Sequence, residues 1–175
     1  MERIRVAGSA RLAGEVTVTG AKNSVLKLMA ASLLAPGRTT ITEVPAILDV
    51  DIMAELLRRL GCDVDHAPGQ LGIDVPQEVG DEADYDLVRR LRASIAVLGP
   101  LLARCGEVML PPPGGDVIGR RRLDTHFLAF EQLGATVVAT DRMLAVSFVA
   151  PVNNGTPITS YEYSIDGGTN WVVSS

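Results

Sequence analysis

The chain has 175 residues, of which 47% are hydrophobic, and a formal net charge of −5 at neutral pH. This length and composition predict a globular protein with a sizeable core and exclude a disordered chain. The acidic balance excludes a general nucleic-acid-binding or anionic-membrane-binding surface, so any basic site has to be local. No apolar run reaches the length of a membrane span, and the first residues lack the apolar centre of a signal peptide. We therefore expect a cytoplasmic protein.

The first half of the chain predicts one helix–strand unit. Apolar residues at helical spacing predict a helix that begins near Asn23 or Ser24, and either residue can cap it. The β-branched stretch that follows predicts a strand. A second helix is expected to start near Asp49 or Asp51 and to end at Gly61, and two short strands joined by a turn complete the unit.

A second unit repeats this order. Residues 123–137 align with residues 50–64 at a constant offset of 73 positions, which pairs Leu60 with Leu133. Its first helix is long and apolar, and Pro100 is expected to kink or split it. A strand, a proline- and glycine-rich loop, another helix and two more strands follow. Two such units predict an α/β fold in which helices pack on one face of a sheet or lie between two sheets.

The composition changes near residue 150. From Met143 onward there is no lysine or arginine, whereas the only tryptophan, Trp171, and two of the three tyrosines lie in this part. Alternating stretches separated by turn pairs predict short strands. The tail resembles a piece of a fibronectin type III or related β-sandwich module. We therefore expect a partial α/β domain at residues 1–149 and a foreign β tail at 150–175, with a divergent continuation of the α/β domain as the alternative.

Two predicted helix starts carry basic side chains. Lys22 and Asn23 follow Gly20 at the first of them, where free N–H groups and the helix dipole suit a phosphate or a carboxylate. The same pattern has an explanation that needs no ligand: Gly20 makes a turn, Asn23 caps the helix and Lys22 is solvated. Arg92 stands at the front of an otherwise apolar helix, so its side chain can project into a cleft.

The loop PPPGGDVIGRRRLDTH, residues 111–126, concentrates charge. Asp116 follows Gly114 and Gly115, which permit close approach of a ligand, and three arginines come within the next six residues. Arginine forks suit phosphate or carboxylate, and Asp116 can exchange a proton with a bound molecule. The alternatives are a surface loop in which Asp116 pairs with an arginine and a surface position for His126 in the next helix's first turn.

Six stretches of the chain, taken in order, point to one family. They are GAKNSVLKLMAASLLA, LDVDIM, LLRRLG, LRASIAVLGPLLAR, PGGDVIGRRRLDTH and QLGATV. Together they resemble the enolpyruvyl transferases that act on UDP-N-acetylglucosamine, in their actinobacterial form, from about Met1 to Val149. The resemblance implies a fold of six helix–strand units in two domains, of which this chain would hold two, so we expect a truncated form of the enzyme.

The resemblance also implies a reaction and its partners. The enolpyruvyl group of phosphoenolpyruvate is transferred to the 3-hydroxyl of UDP-N-acetylglucosamine in peptidoglycan synthesis, by addition and elimination, with no metal and no other cofactor. Lys22 matches a lysine that contacts phosphoenolpyruvate, and Asn23 matches a residue that contacts the sugar nucleotide. Arg92 and Arg121 match basic residues of the substrate cleft, with Arg121 near the phosphate. His126 matches a nucleotide-contacting histidine.

Asp116 stands where most family members carry a cysteine that serves in proton transfer and product release. That cysteine is also the nucleophile trapped by the epoxide antibiotic fosfomycin, and an aspartate can move a proton but is a poor substitute for a thiolate. The hypothesis is a fosfomycin-tolerant enzyme when the rest of the protein is present. Arg122 departs from the family's usual proline, and the family's general-base aspartate, late phosphate-binding arginine and uridine-binding loop have no counterpart in this chain.

Two other functions stay open. A non-catalytic fragment or fusion would act as a binding module, with apolar surface exposed where a third unit should pack. The second alternative is an enolpyruvyl transferase of the shikimate pathway, although the stretches GAKN and PGGDVIG favour the sugar-nucleotide enzyme.

The two cysteines, Cys62 and Cys105, lack metal-ligand spacing and are expected to be small hydrophobic residues. The sequence leaves the oligomeric state open.

Overall fold

The structure is a computed structural model. It describes residues 13–115, 122–140 and 142–148, together with Ile4, Arg5, Gly8, Arg11 and the strands Tyr161–Tyr163 and Val172–Ser174. The first helix–strand unit contains two helices, a short 3₁₀ turn at Ser32–Leu34 and three strands. In chain order they are α1 (Lys22–Ala31), β1 (Gly37–Thr42), α2 (Leu48–Arg59), β2 (Asp63–Ala67) and β3 (Gln70–Val75).

The second unit has the same order with a longer helical start. It contains α3 (Tyr85–Arg90), a 3₁₀ segment at Arg92–Val97, α4 (Leu98–Cys105), β4 (Glu107–Leu110), α5 (Asp124–Gln132), β5 (Ala135–Ala139) and β6 (Leu144–Phe148). The sheets have equivalent strand orders, β1-β3-β2 and β4-β6-β5, and both pairings in each sheet are antiparallel. The predicted α/β fold of two repeated units is confirmed.

One hydrophobic core runs through both units. Helices of the two units meet, since α1 packs against α2 and the 3₁₀ segment, while α2 also packs against α3. Each sheet contributes the side chains of one face to this core, including Leu71 and Ile73 from β3 and Val108 from β4. Strand periodicity explains the arrangement, because alternate side chains point to opposite faces of a sheet.

Arg104 joins the two units through backbone carbonyls. Its guanidinium donates to the carbonyl oxygens of Leu33 at 3.2 Å, Pro76 at 2.9 Å and Gln77 at 2.6 Å. The side chain comes from α4 in the second unit, whereas all three acceptors belong to the first unit or to the segment that leaves it. A planar guanidinium can bind several acceptors at fixed angles, which an ammonium cannot. Arg104 therefore fixes how the second unit sits on the first.

Two local predictions are wrong. The helical segment at 85–105 is broken at Leu91, whose φ of −132° and ψ of 114° are extended, and not at Pro100. Pro100 lies in the first turn of α4, where a missing N–H costs nothing. Neither Asn23 nor Ser24 caps α1: Ala21 is the N-cap residue, and no side chain accepts a hydrogen bond there.

The tail contains two short strands that pair with each other. The strands β7 (Tyr161–Tyr163) and β8 (Val172–Ser174) pair antiparallel, with Tyr161 opposite Ser174. The turn pairs of the tail predict such strands. The origin of the tail and the boundary near residue 150 stay predictions. Within the described residues, no helix is both long enough and apolar enough to span a bilayer.

Candidate active site

Lys22 is the first residue of α1, and its ammonium is held by a carboxylate of the next helix. The Nζ atom lies 2.6 Å from Oδ2 of Asp49, which belongs to the first turn of α2. The Lys22 side chain is 52% exposed and that of Asp49 is 26% exposed, so the pair lies at the surface with the ammonium still open to a ligand. Asn23 is exposed and lines an open groove along α1 with Lys27 and Leu28.

The backbone before Lys22 packs tightly against the turn that leads to α2. A Cβ atom on Gly20 would overlap the carbonyl oxygen of Glu43 and lie 3.0 Å from its carbonyl carbon. Glu43 has a φ of 56°, the only positive φ of a non-glycine residue in the described part of the chain. Such a conformation persists only where its surroundings hold it. Gly20 is therefore required for this close approach.

Arg92 holds the loop that follows β4. Its Nη1 atom donates to the carbonyl oxygen of Pro113 at 3.0 Å. In the same loop, the N–H of Gly114 donates to Val88 and the N–H of Gly115 donates to Arg89, both at 3.1 Å. Those carbonyls belong to the last turn of α3, where intrahelical partners run out. The loop is thus anchored up to Gly115, the residue before Asp116.

Of the predicted site residues, the structure describes Lys22, Asn23, Arg92 and His126, which lie on three different helical segments. Lys22 and Asn23 begin α1, and Arg92 begins the 3₁₀ segment that packs against α1. Asp116 and Arg121 lie outside the described residues. His126 lies in the first turn of α5, as predicted, and is exposed, while α5 packs on β5. Its contact with the nucleotide stays a prediction.

The two cysteines do not offer a thiolate in place of the missing loop cysteine. Cys62 is buried, and burial raises the pKa of its thiol to about 11. The Cys105 thiol is only partly buried, and its pKa is raised by burial and by the nearby Asp81 carboxylate. Since the thiolate is the nucleophilic form, both thiols are poor nucleophiles near neutral pH. Their predicted role as small hydrophobic residues fits these surroundings.

Sequence reasoning missed two residues. The sequence marks Asp49 only as a helix start, and no motif marks Arg104. The stretch LDVDIM contains Asp49, but its first helical turn holds Asp49 and Asp51, and the sequence does not say which of them faces another helix. Arg104 binds only backbone carbonyls, which carry no residue-specific signal.

Comparison with known proteins decides the family. The sequence profile of EPSP synthase (3-phosphoshikimate 1-carboxyvinyltransferase) matches residues 6–169. The chain belongs to the EPSP synthase family. Its fold is also similar to the crystal structure of the enolpyruvyl transferase NikO from Streptomyces tendae, with a TM-score of 0.66 over 81% of this chain and 31% of that chain. The two sequences are 24% identical, so this likeness concerns the fold alone.

Relatives within the EPSP synthase family carry a more specific name. A UDP-N-acetylglucosamine 1-carboxyvinyltransferase of Nocardia farcinica is 56% identical over 141 residues, covering 77% of this chain and 33% of the relative. The protein of that name from Bradyrhizobium diazoefficiens is 47% identical over 171 residues, covering 97% of this chain and 39% of the relative. The chain thus spans a third to two-fifths of the length of these relatives. The predicted resemblance to an N-terminal portion, mostly of actinobacterial proteins, is confirmed.

Proposed function

We propose that the chain is the N-terminal part of an enzyme that transfers the enolpyruvyl group of phosphoenolpyruvate to the 3-hydroxyl of UDP-N-acetylglucosamine, the first committed step of peptidoglycan synthesis in the cytoplasm. The observation that carries this proposal is the 56% identity to a protein of that name. The site geometry supports it, because both substrates are anionic and Lys22 presents its ammonium at a helix start while Arg92 lies on the adjoining segment.

Each candidate residue has a place in the proposed reaction. The acceptor hydroxyl gives its proton to a base in the rest of the enzyme while its oxygen bonds to C2 of phosphoenolpyruvate and C3 gains a proton from an acid. The tetrahedral adduct then loses phosphate through cleavage of the C2–O bond, and a proton leaves C3 to restore the double bond. Asp116 is the proposed proton donor to C3. The proposed contacts are Lys22 with phosphoenolpyruvate, Arg121 with the phosphate, and Asn23 and His126 with the sugar nucleotide. Stabilisation of the departing phosphate by fixed cations is the largest contribution expected of these side chains.

Arg92 has a second task in this proposal. Its hydrogen bond to Pro113 ties it to the loop that carries Asp116. The same guanidinium can therefore line the substrate cleft and fix the loop. We include the predicted boundary near residue 150 in the proposal: residues 1–149 supply the transferase part, and the tail adds nothing to the site.

Turnover tests the proposal. Residues 1–149 are joined to the remaining two-thirds of the Nocardia farcinica relative, and phosphate release is measured with both substrates. We expect release that depends on UDP-N-acetylglucosamine, and a loss of at least about 100-fold in kcat/KM for Lys22→Ala, as for removal of a charge-stabilising donor. The 175-residue chain alone is expected to release no phosphate. A hybrid that folds but stays inactive with both substrates would argue against the proposal.

The same hybrid tests the role of Asp116. We expect wild-type hybrid to remain active in fosfomycin, since a carboxylate is a weaker nucleophile toward the epoxide than a thiolate. Asp116→Cys should restore covalent inactivation, detected as a drug adduct on the peptide that contains residue 116 by mass spectrometry. A fosfomycin adduct on Asp116 itself would contradict the prediction of tolerance.

A binding module is the second candidate function, and one observation favours it. Leu60 and Leu133 occupy equivalent positions of the two units, yet Leu60 is 1% exposed and Leu133 is 74% exposed. Leu133 lines an apolar groove of about 490 Å³ together with Phe130 and Phe148. In the first unit, α2 is covered by α3 of the next unit. The groove is therefore proposed to receive the first helix of a further unit of the same kind.

Assembly in trans tests this second function. We expect the 175-residue chain to bind a separately produced C-terminal two-thirds of the Nocardia farcinica relative in gel filtration. Leu133→Glu should abolish that binding, whereas Leu128→Glu, a matched change at an exposed residue of the same helix outside the groove, should not. Equal binding by both variants would show that the groove is not the contact surface, and self-association that only Leu133→Glu disrupts would show that a second copy of the chain occupies it.

A further inference from the structure

Several ion pairs of the described residues join separate elements, and the pair between Lys22 and Asp49 is one of them. It joins the starts of two separate helices, α1 and α2, at 2.6 Å. By contrast, Glu55 pairs with Arg58 and Arg59 inside α2, which stabilises only that helix. A contact between two helix starts fixes the position of the lysine relative to the rest of the unit.

The backbone at both ends of this pair is held independently. On the Lys22 side, Gly20 packs against Glu43, and the N–H groups of Ser24 and Val25 donate to the Ala21 carbonyl oxygen at 3.1 Å. On the Asp49 side, Val44 donates to the Gly69 carbonyl oxygen at 3.0 Å. These backbone contacts do not involve the Lys22–Asp49 side-chain pair. The pair therefore fixes the position of the ammonium more than the path of the backbone.

The start of α2 suits an ionised carboxylate. Asp49 lies in its first turn, where the helix dipole and free N–H groups stabilise negative charge. The ammonium has three N–H donors, so one can remain on Asp49 while the others bind a ligand.

We propose that Asp49 is a positioning residue that holds the Lys22 ammonium ready for the anionic substrate. The inference rests on the proposed function, since it assumes that Lys22 contacts phosphoenolpyruvate. A lysine side chain loses much rotamer freedom when it is fixed, and here the pair with Asp49 fixes it before the ligand arrives. Ligand binding then costs less side-chain conformational entropy, so the affinity for the ligand is higher.

A double-mutant cycle on the 175-residue chain tests this inference. The dissociation constant for phosphoenolpyruvate, with UDP-N-acetylglucosamine present, is measured for wild type, Asp49→Asn, Lys22→Ala and the double variant. We expect Asp49→Asn to weaken binding about fivefold, the scale of one exposed charge pair, and Asp49→Glu to recover part of that loss. In the Lys22→Ala background, Asp49→Asn should have no further effect, because Asp49 acts only through Lys22.

Asp51→Asn is the matched control. Asp51 lies in the same first turn and loses the same charge, but its carboxylate faces His66, with 3.6 Å between Oδ1 and Nδ1. We expect it to leave the dissociation constant within about twofold of wild type, as for an exposed charge that does not act on the lysine. Melting temperatures of all variants separate a loss of binding from a loss of folding.

The outcomes are distinguishable. If wild type binds phosphoenolpyruvate and Asp49→Asn binds as tightly as Asp51→Asn, or more tightly than wild type, the positioning role is wrong and the proposed function stands. If Asp49→Asn weakens binding equally with and without Lys22, Asp49 does not act through the lysine. If the wild-type 175-residue chain binds neither phosphoenolpyruvate nor UDP-N-acetylglucosamine, the same cycle is measured in the hybrid enzyme, and failure of the wild-type hybrid to bind them contradicts both the inference and the substrate assignment.

Discussion

Replacing Gly114 with alanine is expected to detach the loop after β4 and to destabilise the fold. The added Cβ would overlap the carbonyl oxygen of Arg89 and lie 2.6 Å from its carbonyl carbon. Both are backbone atoms of α3, so no side chain can rotate away. The hydrogen bonds from Gly114 to Val88 and from Gly115 to Arg89 would break. We expect a loss of about 1–3 kcal/mol in the free energy of unfolding, measured by urea denaturation.

A glycine of α4 supplies the control for this substitution. Nothing lies within 4 Å of a Cβ built on Gly99, which has an ordinary helical backbone. Gly99→Ala should therefore stabilise the protein by about 0.5–1 kcal/mol through helix propensity. In the hybrid enzyme, Gly114→Ala should also lower kcat if Asp116, the next residue but one, is the proton donor that we propose. Wild-type stability and activity in Gly114→Ala would mean that the loop is not anchored on α3.

Equivalent leucines of the two units should respond very differently to truncation. Leu60→Ala removes a side chain that is 1% exposed inside the core, and we expect a loss of about 2–5 kcal/mol. Leu133→Ala removes a side chain that is 74% exposed, and we expect a change within about 0.5 kcal/mol. The difference arises because α3 covers α2, whereas no helix of the described residues takes the corresponding place beside α5.

Urea denaturation of both variants, followed by circular dichroism, measures this contrast. The prediction changes when the missing partner is present: in the hybrid enzyme, Leu133→Ala should cost about as much as a core truncation, because a further unit then buries it. A large loss for Leu133→Ala in the 175-residue chain alone would mean that the groove is already occupied, by the tail or by a second copy.

Much of the fold is predictable from the sequence because the repeat is regular. The β-branched strands, the offset of 73 positions and the glycines that end α2 and α5 predict the succession of helices and strands along both units, whereas the strand order within each sheet comes from the structure. Gly61 and Gly134 have φ values of 100° and 93°, as expected for residues just past a helix end. These signals are local, and they depend on side chains whose backbone preferences are strong.

The remaining features depend on tertiary contacts. The break at Leu91 places Arg92 beside the loop at Pro113, a contact between residues 21 positions apart that no local pattern encodes. The pair between Lys22 and Asp49 likewise depends on how two helices meet. The exposure of Leu133 could not be read from its repeat position, since its equivalent, Leu60, is buried. The predicted roles of Asp116 and Arg121 concern residues outside those that the structure describes.

The acceptor of the enolpyruvyl group is the central question for function. The family profile takes its description from the enzyme that acts on 3-phosphoshikimate, whereas the relatives at 47–56% identity are named for UDP-N-acetylglucosamine. Both reactions use phosphoenolpyruvate, so the contacts proposed for Lys22 and Arg121 would serve either acceptor. Asn23 and His126, assigned here to the sugar nucleotide, are the residues of this chain expected to distinguish them.

The decisive measurement is phosphate release by the hybrid enzyme with phosphoenolpyruvate and one acceptor at a time. We predict release with UDP-N-acetylglucosamine, none with 3-phosphoshikimate, and a rise in KM for the sugar nucleotide in Asn23→Ala. Release with 3-phosphoshikimate alone would contradict the proposed function.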